Sequence, residues 1–378
     1  MSARDLRLDF FRGLSLFFIF IDHIPENLLS YFTLHSIAFC DAAEVFIFIS
    51  GYTAALVYGQ SLARNGPLLA IAQIYRRVWQ LYVAHVFLFV IFTAEVSYTL
   101  VAMQNPMYAE ELGVADFLSA PHVAVLHALI LDFQPPFLDI LPLYIVLLGA
   151  FPVVLLLLAR NAVLPGVLSA VLYGAALGFG WSPHAYPDDH VWFFNPLTWQ
   201  FLFVIGASLG CLRARGHPPL QPPRWIAVPA TAIAAAIAFV SLTWTAHWIW
   251  DPFPPLFERL WYFTLDKTNL APLRLFSILA LAIATLHLVP PTARFLETRW
   301  AWPIIICGQN SLHIFCLGIV LSVLGHFVLT DVYAGVAMQL TVNLAGVALM
   351  IATASLLQWF KAASRRPRDR AVQPAPSE

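Results

Sequence analysis

Charged residues are scarce in this chain of 378 residues. Lys, Arg, Asp and Glu make up 11% of it, whereas 60% of the residues are hydrophobic and the mean hydropathy is +0.76. Soluble domains have roughly a quarter of their residues charged, so the composition argues against a water-soluble globule. The formal net charge of −1 also excludes bulk coating of nucleic acid, and no nucleic-acid partner is expected.

Cysteine is scarce as well. The four cysteines, Cys40, Cys211, Cys307 and Cys316, are scattered and include no CxxC pair. This spacing indicates neither a disulfide framework nor a metal site, and we expect no bound metal. A cleavable signal peptide of the usual form is not expected either, because the first apolar run begins near Asp9 and lacks a small-residue cleavage site.

Long apolar runs recur from end to end of the chain. Ten of them are candidates to cross about 30 Å of hydrocarbon: Leu8–Ile24, Ala43–Tyr58, Val78–Met103, Ile140–Ala159, Val163–Phe179, Leu197–Leu212, Trp225–Ala246, Leu275–Val289, Trp302–Leu329 and Ala334–Phe360. The sequence therefore predicts an all-α, polytopic membrane helical bundle of about ten transmembrane helices in residues 1–360. Residues 361–378 are predicted to be a disordered basic and Pro-rich cytoplasmic tail.

The basic residues orient this bundle. With the N-terminus in the cytoplasm, 17 of the 20 Lys and Arg residues fall on the cytoplasmic side, and Arg259, Lys267 and Arg274 fall on the other. The positive-inside rule therefore predicts that both termini are cytoplasmic. Three long outer loops, roughly 104–139, 181–196 and 247–272, are rich in aromatic and acidic residues that suit a sugar, although a membrane-surface aromatic belt explains many of the same aromatics.

The first apolar run carries four ionisable residues, which an ordinary membrane anchor would not tolerate. Arg12 and His23 are eleven residues apart, so on a helix they lie within about 20° of one face and about 16 Å apart along the axis. Asp9 lies one turn before Arg12 and can pair with it, whereas Asp22 points about 100° away from His23. Such groups usually mark function, although an interfacial salt bridge and a polar cap remain alternatives.

Other polar residues are placed at the ends of apolar runs. Glu44 begins the second run at a depth similar to that of His23, so it either orients His23, positions an acceptor or is a solvated interfacial carboxylate. Asp41, one turn earlier, has the same alternatives. Arg76 and Arg77 precede the third run and either bind phosphate or anchor the helix.

Two clusters of small or polar residues stand out in the later runs. Gly308-Gln309-Asn310-Ser311 interrupts an apolar run of nearly thirty residues, which indicates either a tunnel lining or a helix kink. Gly206 and Gly210 form a small-xxx-small face that helix packing explains fully.

Several of these segments resemble a known family. The segment from Leu8 to Gly13 contains Arg12, and ten residues separate Arg12 from His23. This arrangement is similar to the Arg-x10-His signature of membrane acyltransferases of the acyltransferase-3 type. The segments RDLRLDFFRG at residues 4–13, FIDHIP at 20–25 and DAAEVFIFISGY at 41–52 resemble the OpgC subfamily. FISGY at 48–52 and GQNSL at 308–312 resemble two further motifs of the wider family, and the resemblance covers all ten runs in order.

This resemblance implies a multi-pass enzyme of the bacterial inner membrane. It would move an acyl group from cytoplasmic acyl-CoA to hydroxyls of a periplasmic glucan or related envelope glycan, with succinyl favoured and acetyl the alternative. Acyl-CoA is then a donor substrate, and no permanently bound cofactor is expected. The lipid bilayer and the glycan acceptor are the other partners, and a homo-oligomer is possible. The resemblance leaves two mechanisms open, namely direct transfer of the acyl group and transfer through an acyl-His intermediate.

The implied roles divide the candidate residues into three sets. Those assigned to catalysis are His23 as general base, with Glu44 and Asp22. Those assigned to the acyl-CoA donor are Arg12, Asp9, Arg76 and Arg77, and those assigned to substrate binding are Asp41, Ser50, Asn310 and Ser311. A transporter or flippase for a glycan or lipid is the alternative, although the two halves share no repeated motif. A sensor or scaffold would leave the line of Asp9, Arg12 and His23 unexplained.

Overall fold

Helices form almost all of the regular structure. The computed structural model describes residues 5–103, 109–110, 112–187, 190–249 and 265–369. The α-helices within them are α1 Leu6–Asp22, α2 Ala42–Met103, α3 Ala115–Ser119, α4 Pro121–Leu129, α5 Ile140–Arg160, α6 Leu164–Phe179, α7 Pro196–Ala214, α8 Arg224–Ile249, α9 Pro272–Leu288, α10 Trp302–Gln309, α11 Ser311–Phe327 and α12 Val336–Asp369. Two short strands, β1 His184–Ala185 and β2 His190–Val191, pair antiparallel within the loop before α7.

Most of these helices are apolar enough to lie in a membrane. Six are both long and apolar enough to cross one, namely α2, α5, α7, α8, α11 and α12, and two apolar helices, α6 and α9, are shorter. Each of the ten predicted runs coincides with helical residues over most of its length. The all-α membrane fold is therefore confirmed, while the number of crossings and the cytoplasmic location of the termini stay predictions.

Local sequence signals explain where several helices start and stop. Asn195 caps α7 by accepting a hydrogen bond from the Leu197 N–H at 3.0 Å. Pro196 follows at the first helical position, where an N–H would have no partner in any case. Gly180 ends α6 in the left-handed conformation, with φ of 66°.

Helix α2 reverses direction near its middle. Gly66 has φ 81° and ψ 174°, and Pro67 follows it without an N–H to continue the helix. Tyr58 and Arg77 line the same cavity, although nineteen residues of straight helix would separate them by about 28 Å. The two arms of α2 therefore turn back on each other, which explains why this one element contains two of the predicted membrane runs.

Helix α1 is held between α10, α11 and α2. Glycines allow the closest contact: a Cβ on Gly13 would overlap the carbonyl oxygen of Ile304, and a Cβ on Gly308 would overlap that of Asp9. Asn310 leaves helical geometry, with φ −114° and ψ 31°, and so separates α10 from α11. The predicted interruption is thus present, and it lies directly beside the first helix.

The last helix is longer than the sequence predicted. α12 continues to Asp369, so residues 361–369, assigned to a disordered tail, are helical. Lys361 is held in place because its Nζ donates to Asn310 Oδ1 at 2.6 Å. The rest of the predicted tail, 370–378, lies outside the described residues.

A second glycine contact joins α2 to α7. A Cβ on Gly206 would overlap the carbonyl oxygen of Phe48, and a Cβ on Gly210 would overlap that of Tyr52. The two helices therefore approach to backbone contact, and the packing role predicted for this small-xxx-small face is confirmed.

Gly210→Ala should lower the stability of the protein. The added Cβ meets backbone rather than a movable side chain, so we expect a loss of about 1–3 kcal/mol, as for other overpacked sites. The measurement is the apparent unfolding temperature in detergent. Gly174→Ala in α6 is the matched control, because among the described residues no atom beyond its chain neighbours and its own helix backbone lies within 4 Å of its Cβ position, and alanine is the better helix former. Equal losses in the two variants would contradict the packing argument.

Candidate active site along the first helix

Helix α1 positions Arg12 and His23 on one line. Asp5 caps the start of α1 by accepting a hydrogen bond from the Arg7 N–H at 3.1 Å. His23 follows the last helical residue, and its own N–H bonds to the Ile19 carbonyl at 3.1 Å. Eleven residues of helical rise separate Arg12 and His23 by about 16 Å along the axis.

The imidazole of His23 is fixed in orientation and tautomer. Its Nδ1 lies 2.6 Å from the Ile19 carbonyl oxygen. Because a carbonyl can only accept, Nδ1 carries the hydrogen, and Nε2 of the neutral ring holds the lone pair. The Phe137 ring packs edge-on against the imidazole, with centroids 4.8 Å apart. The side chain is therefore arranged to accept a proton at Nε2.

A cavity of about 530 Å³, the His23 cavity, lies at this end of α1. Asp22, His23 and Asp41 provide polar parts of its wall. Residues from three loops also line it: Gln134, Pro136, Phe137 and Asp139 before α5, Phe193 and Phe194 before α7, and Lys267 before α9. Described residues from all three of the loops that the sequence predicted to be long, aromatic and acidic thus line one cavity.

Asp41 and Glu44 cap α2 reciprocally. Asp41 Oδ1 accepts from the Ala43 N–H at 2.8 Å, and Glu44 Oε2 accepts from the Asp41 N–H at 2.9 Å, so each carboxylate satisfies a backbone N–H at the start of the helix. Arg274 of α9 then bonds both carboxylates, with Nε 2.6 Å from Glu44 Oε1 and Nη2 3.2 Å from Asp41 Oδ2. Lys267 Nζ lies 2.7 Å from Asp41 Oδ2 and completes the cluster.

These pairings set the charge state of the His23 cavity wall. Burial alone would raise the pKa of Asp41, but the charges of Lys267 and Arg274 outweigh it and hold that pKa well below its usual range. Burial alone would lower the pKa of Lys267, but Asp41 and Glu44 outweigh it and raise that pKa. Both groups therefore stay charged at neutral pH. By contrast, burial raises the pKa of Asp139 to about 6 against a smaller opposing effect of Lys267.

A second cavity of about 190 Å³, the Arg12 cavity, lies farther toward the start of α1. Arg12 Nη2 donates to Thr53 Oγ1 at 2.6 Å and to the Ile49 carbonyl at 3.3 Å, which holds the guanidinium against α2. Among the polar residues lining this cavity are four that the sequence singled out, namely Arg12, Ser50, Arg77 and Ser311. Residues far apart in sequence are thus brought together around one space.

Amide side chains connect α1 to the last helix. Gln309 Nε2 donates to Asp9 Oδ2 at 3.3 Å, and Gln358 Nε2 of α12 donates to Gln309 Oε1 at 2.6 Å. Asn310 accepts from Lys361 and donates from Nδ2 to the Ile306 carbonyl at 2.9 Å. Asp9 and Asn310 therefore tie helices together at the α10–α11 break.

Four of the predicted site residues, Asp9, Asn310, Arg76 and Glu44, are not among the described residues that line either cavity. Arg76 is exposed and, within the described ranges, is not among the residues lining the Arg12 cavity, whereas its neighbour Arg77 is. Glu44 is fully buried and contacts Asp41 and Arg274, so it lies behind the wall of the His23 cavity rather than in it. This is the environment of a group that positions Asp41.

Several residues of the site were not assigned from the sequence. The charge distribution placed Arg274 on the non-cytoplasmic side, and the structure places it in the first turn of α9, buried beside Glu44. The available signal was the pair Asp41 and Glu44 at the start of an apolar run, since buried carboxylates require a cation. Asp139 carried no comparable signal, and Arg259 lies outside the described residues.

The fold and the site together define a class: an all-α membrane protein in which polar residues on one helix line two cavities. The family described as OpgC protein matches residues 4–362 of this chain. The chain therefore belongs to the OpgC family, which confirms the resemblance. No curated protein and no solved structure matches the chain. Within the ranges that the structure describes, no group of three or more His, Cys, Asp and Glu side chains is arranged to hold a metal ion.

Arg274→Met should destabilise the protein strongly. It leaves the fully buried Glu44 carboxylate without its cation, a change that typically costs about 3–5 kcal/mol. Lys267→Met is the comparison variant and should cost less, because the Lys267 side chain is 33% exposed and Asp41 keeps Arg274 as its partner when Lys267 is replaced. Both are compared by apparent unfolding temperature in detergent.

A double variant separates charge from shape. Glu44→Gln combined with Arg274→Met removes both charges while an amide oxygen can still accept from the Asp41 N–H. This double variant should recover much of the stability lost in Arg274→Met alone, since the buried charge is gone. No recovery in the double variant, or equal losses for Arg274→Met and Lys267→Met, would contradict the assigned role of this pair.

Proposed function

We propose that this protein is an integral membrane O-acyltransferase. It transfers an acyl group, succinyl in preference to acetyl, from cytoplasmic acyl-CoA to a hydroxyl of a periplasmic glucan or related envelope glycan in a bacterial inner membrane. The observation that carries this proposal is the alignment of Arg12 and His23 on one helix, each in the wall of its own cavity. Membership of the OpgC family supports glucan modification.

The Arg12 cavity is proposed to receive the donor. Arg12 and Arg77 place two cations in its wall, and a planar guanidinium suits the phosphates of CoA. The distance of about 16 Å from Arg12 to His23 is of the order of a pantetheine arm. Phosphates held near Arg12 would therefore deliver a thioester close to His23.

The His23 cavity is proposed to receive the acceptor. Carboxylates of Asp22, Asp41 and Asp139 can accept hydrogen bonds from sugar hydroxyls, and the rings of Phe137 and Phe193 offer apolar faces for sugar C–H groups. At about 530 Å³ this cavity is the larger of the two, which suits a sugar better than the narrow arm of a donor.

His23 is proposed to act as general base. Its Nε2 removes the proton of an acceptor hydroxyl as that oxygen attacks the thioester carbonyl carbon. The C–S bond then breaks, and the CoA sulfur leaves with the proton returned from the imidazolium. Asp41, in the same cavity wall, favours the positive charge that forms on the ring, whereas Lys267, which is paired with Asp41, opposes it. Attack by His23 itself, through an acyl-His intermediate, is the alternative order of events.

Transport of a glycan or lipid is the second candidate function. The feature that favours it is the succession of two cavities along the bundle, which could serve as a passage for a substrate. Transport requires no chemical change in the substrate, so an assay of acyl transfer separates it from the proposed reaction.

His23→Ala should abolish acyl transfer while leaving the fold intact. Removal of a general base typically costs about 10²–10⁴-fold in rate. The assay supplies radiolabelled acyl-CoA to the Arg12 face of sealed, oriented vesicles and the glucan to the His23 face. Labelled glucan is then measured by mass spectrometry and counting.

His217→Ala provides the control for this assay. His217 is exposed and lies in the segment between α7 and α8, so its removal should leave transfer unchanged. Near-normal transfer by His23→Ala would contradict the base assignment. Glucan that crosses the membrane without gaining label would favour transport over acyl transfer.

Arg12→Ala should weaken donor binding more than it slows saturated turnover. The expected result is a raised KM for acyl-CoA with a smaller change in kcat, and Arg12→Lys should restore only part of the affinity, because a point charge replaces a planar fork. Arg160→Ala, an exposed arginine at the end of α5, is the control. Unchanged acyl-CoA affinity, measured by calorimetry, would show that Arg12 has a structural role.

A further inference from the structure

One residue lines both cavities. Among the described residues, Phe315 of α11 is the single one shared by the walls of the Arg12 cavity and the His23 cavity. Ser311 lies one turn earlier on the same helix face and lines the Arg12 cavity. The side of α11 that faces the Arg12 cavity therefore ends at Phe315, where the His23 cavity begins.

The two cavities follow one another along the same helices. On α2, Ala43 lines the His23 cavity and Phe46, one turn on, lines the Arg12 cavity. On α5, Ile140 lines the His23 cavity and Tyr144 lines the Arg12 cavity. Because two helices cross from one cavity to the other over about one turn, only a thin layer of protein separates the two spaces.

Aromatic rings form that layer. The Phe315 ring is 3% exposed, and its centroid lies 6.4 Å from that of Phe46. Phe46 in turn packs edge-on against Tyr144, with centroids 6.3 Å apart. Three helices, α2, α5 and α11, thus each contribute one ring to the boundary. Close-packed rings leave no space for water.

We propose that Phe315 is the barrier between a donor compartment at Arg12 and an acceptor compartment at His23. It keeps water in the His23 cavity from reaching a thioester arm held in the Arg12 cavity, and its ring moves aside when the arm extends. The identity of donor and acceptor rests on the proposed function, whereas the barrier itself rests only on the two cavities and the ring between them.

The first test measures the barrier without any enzymatic activity. Cys40, Cys211, Cys307 and Cys316 are replaced by alanine, and Ser311→Cys places one reporter thiol in the Arg12 cavity. The anionic, membrane-impermeant reagent 2-sulfonatoethyl methanethiosulfonate is supplied to the His23 face of sealed vesicles. Adding Phe315→Ala should raise the labelling rate at least about tenfold, since the close-packed ring that blocks the path is gone.

Two further variants keep this test decisive. Phe327→Ala removes another buried ring of α11 that is not among the described residues lining either cavity, so it should leave labelling unchanged. Phe315→Leu should give a labelling rate between those of the unmodified protein and Phe315→Ala. If Phe315→Ala does not fold, Phe315→Leu tests the same prediction. Fast labelling with Phe315 in place, no increase in either Phe315 variant, or an equal increase with Phe327→Ala would overturn the barrier.

The second test examines the consequence for the proposed reaction. In Phe315→Ala, water should compete with the acceptor: its oxygen bonds to the acyl carbon as the C–S bond breaks, giving the free acid and CoA thiol. The ratio of hydrolysis to transfer should therefore rise severalfold relative to the unmodified protein. If the unmodified protein turns over no acyl-CoA, the proposed function is wrong, but the labelling experiment still tests the barrier. If the protein is active and Phe315→Ala leaves the ratio of hydrolysis to transfer unchanged, the proposed protection of the thioester from water is contradicted.

Discussion

The ion pair between Glu44 and Arg274 is the interaction on which the geometry of the His23 cavity depends. Glu44 is fully buried, and a buried carboxylate of this kind is tolerated only with a well-placed cation and further hydrogen bonds. Arg274 supplies the cation, and the Asp41 N–H supplies a hydrogen bond. Because Arg274 also reaches Asp41, the start of α9 is joined to the start of α2. This junction fixes Asp41 and Lys267 in the cavity wall beside His23.

Glycine contacts provide the second constraint. Gly13 and Gly308 bring α1 and α10 to backbone contact, which leaves no room for α1 to slide along its neighbour without a clash. Arg12 and His23 are therefore held at set depths in the bundle by packing, and their separation follows from helical rise alone. The position of the polar groups is thus determined by small residues at the helix contacts.

Much of this could be predicted from local sequence. The apolar runs, the interruption at Asn310 and the placement of Arg12 and His23 on one helix follow from hydropathy and helical period, which depend on near neighbours. The grouping of Arg12 with Arg77, Ser50 and Ser311 could not be derived, since it depends on the reversal at Gly66 and on which helices pack together. The partner of Glu44 was missed for the same reason: Arg274 is 230 residues away in sequence.

The same packing explains why polar groups along α1 line two cavities rather than one open passage. A continuous water-filled passage between Arg12 and His23 would hydrate both ends of α1, and hydration would weaken every electrostatic contact along it. The rings of Phe46, Tyr144 and Phe315 interrupt such a passage at its middle. Arg12 then faces a space that Ser50, Arg77 and Ser311 also line, while His23 faces a larger space lined with carboxylates. The chemical difference between the two ends of one short helix is therefore maintained by apolar packing between them.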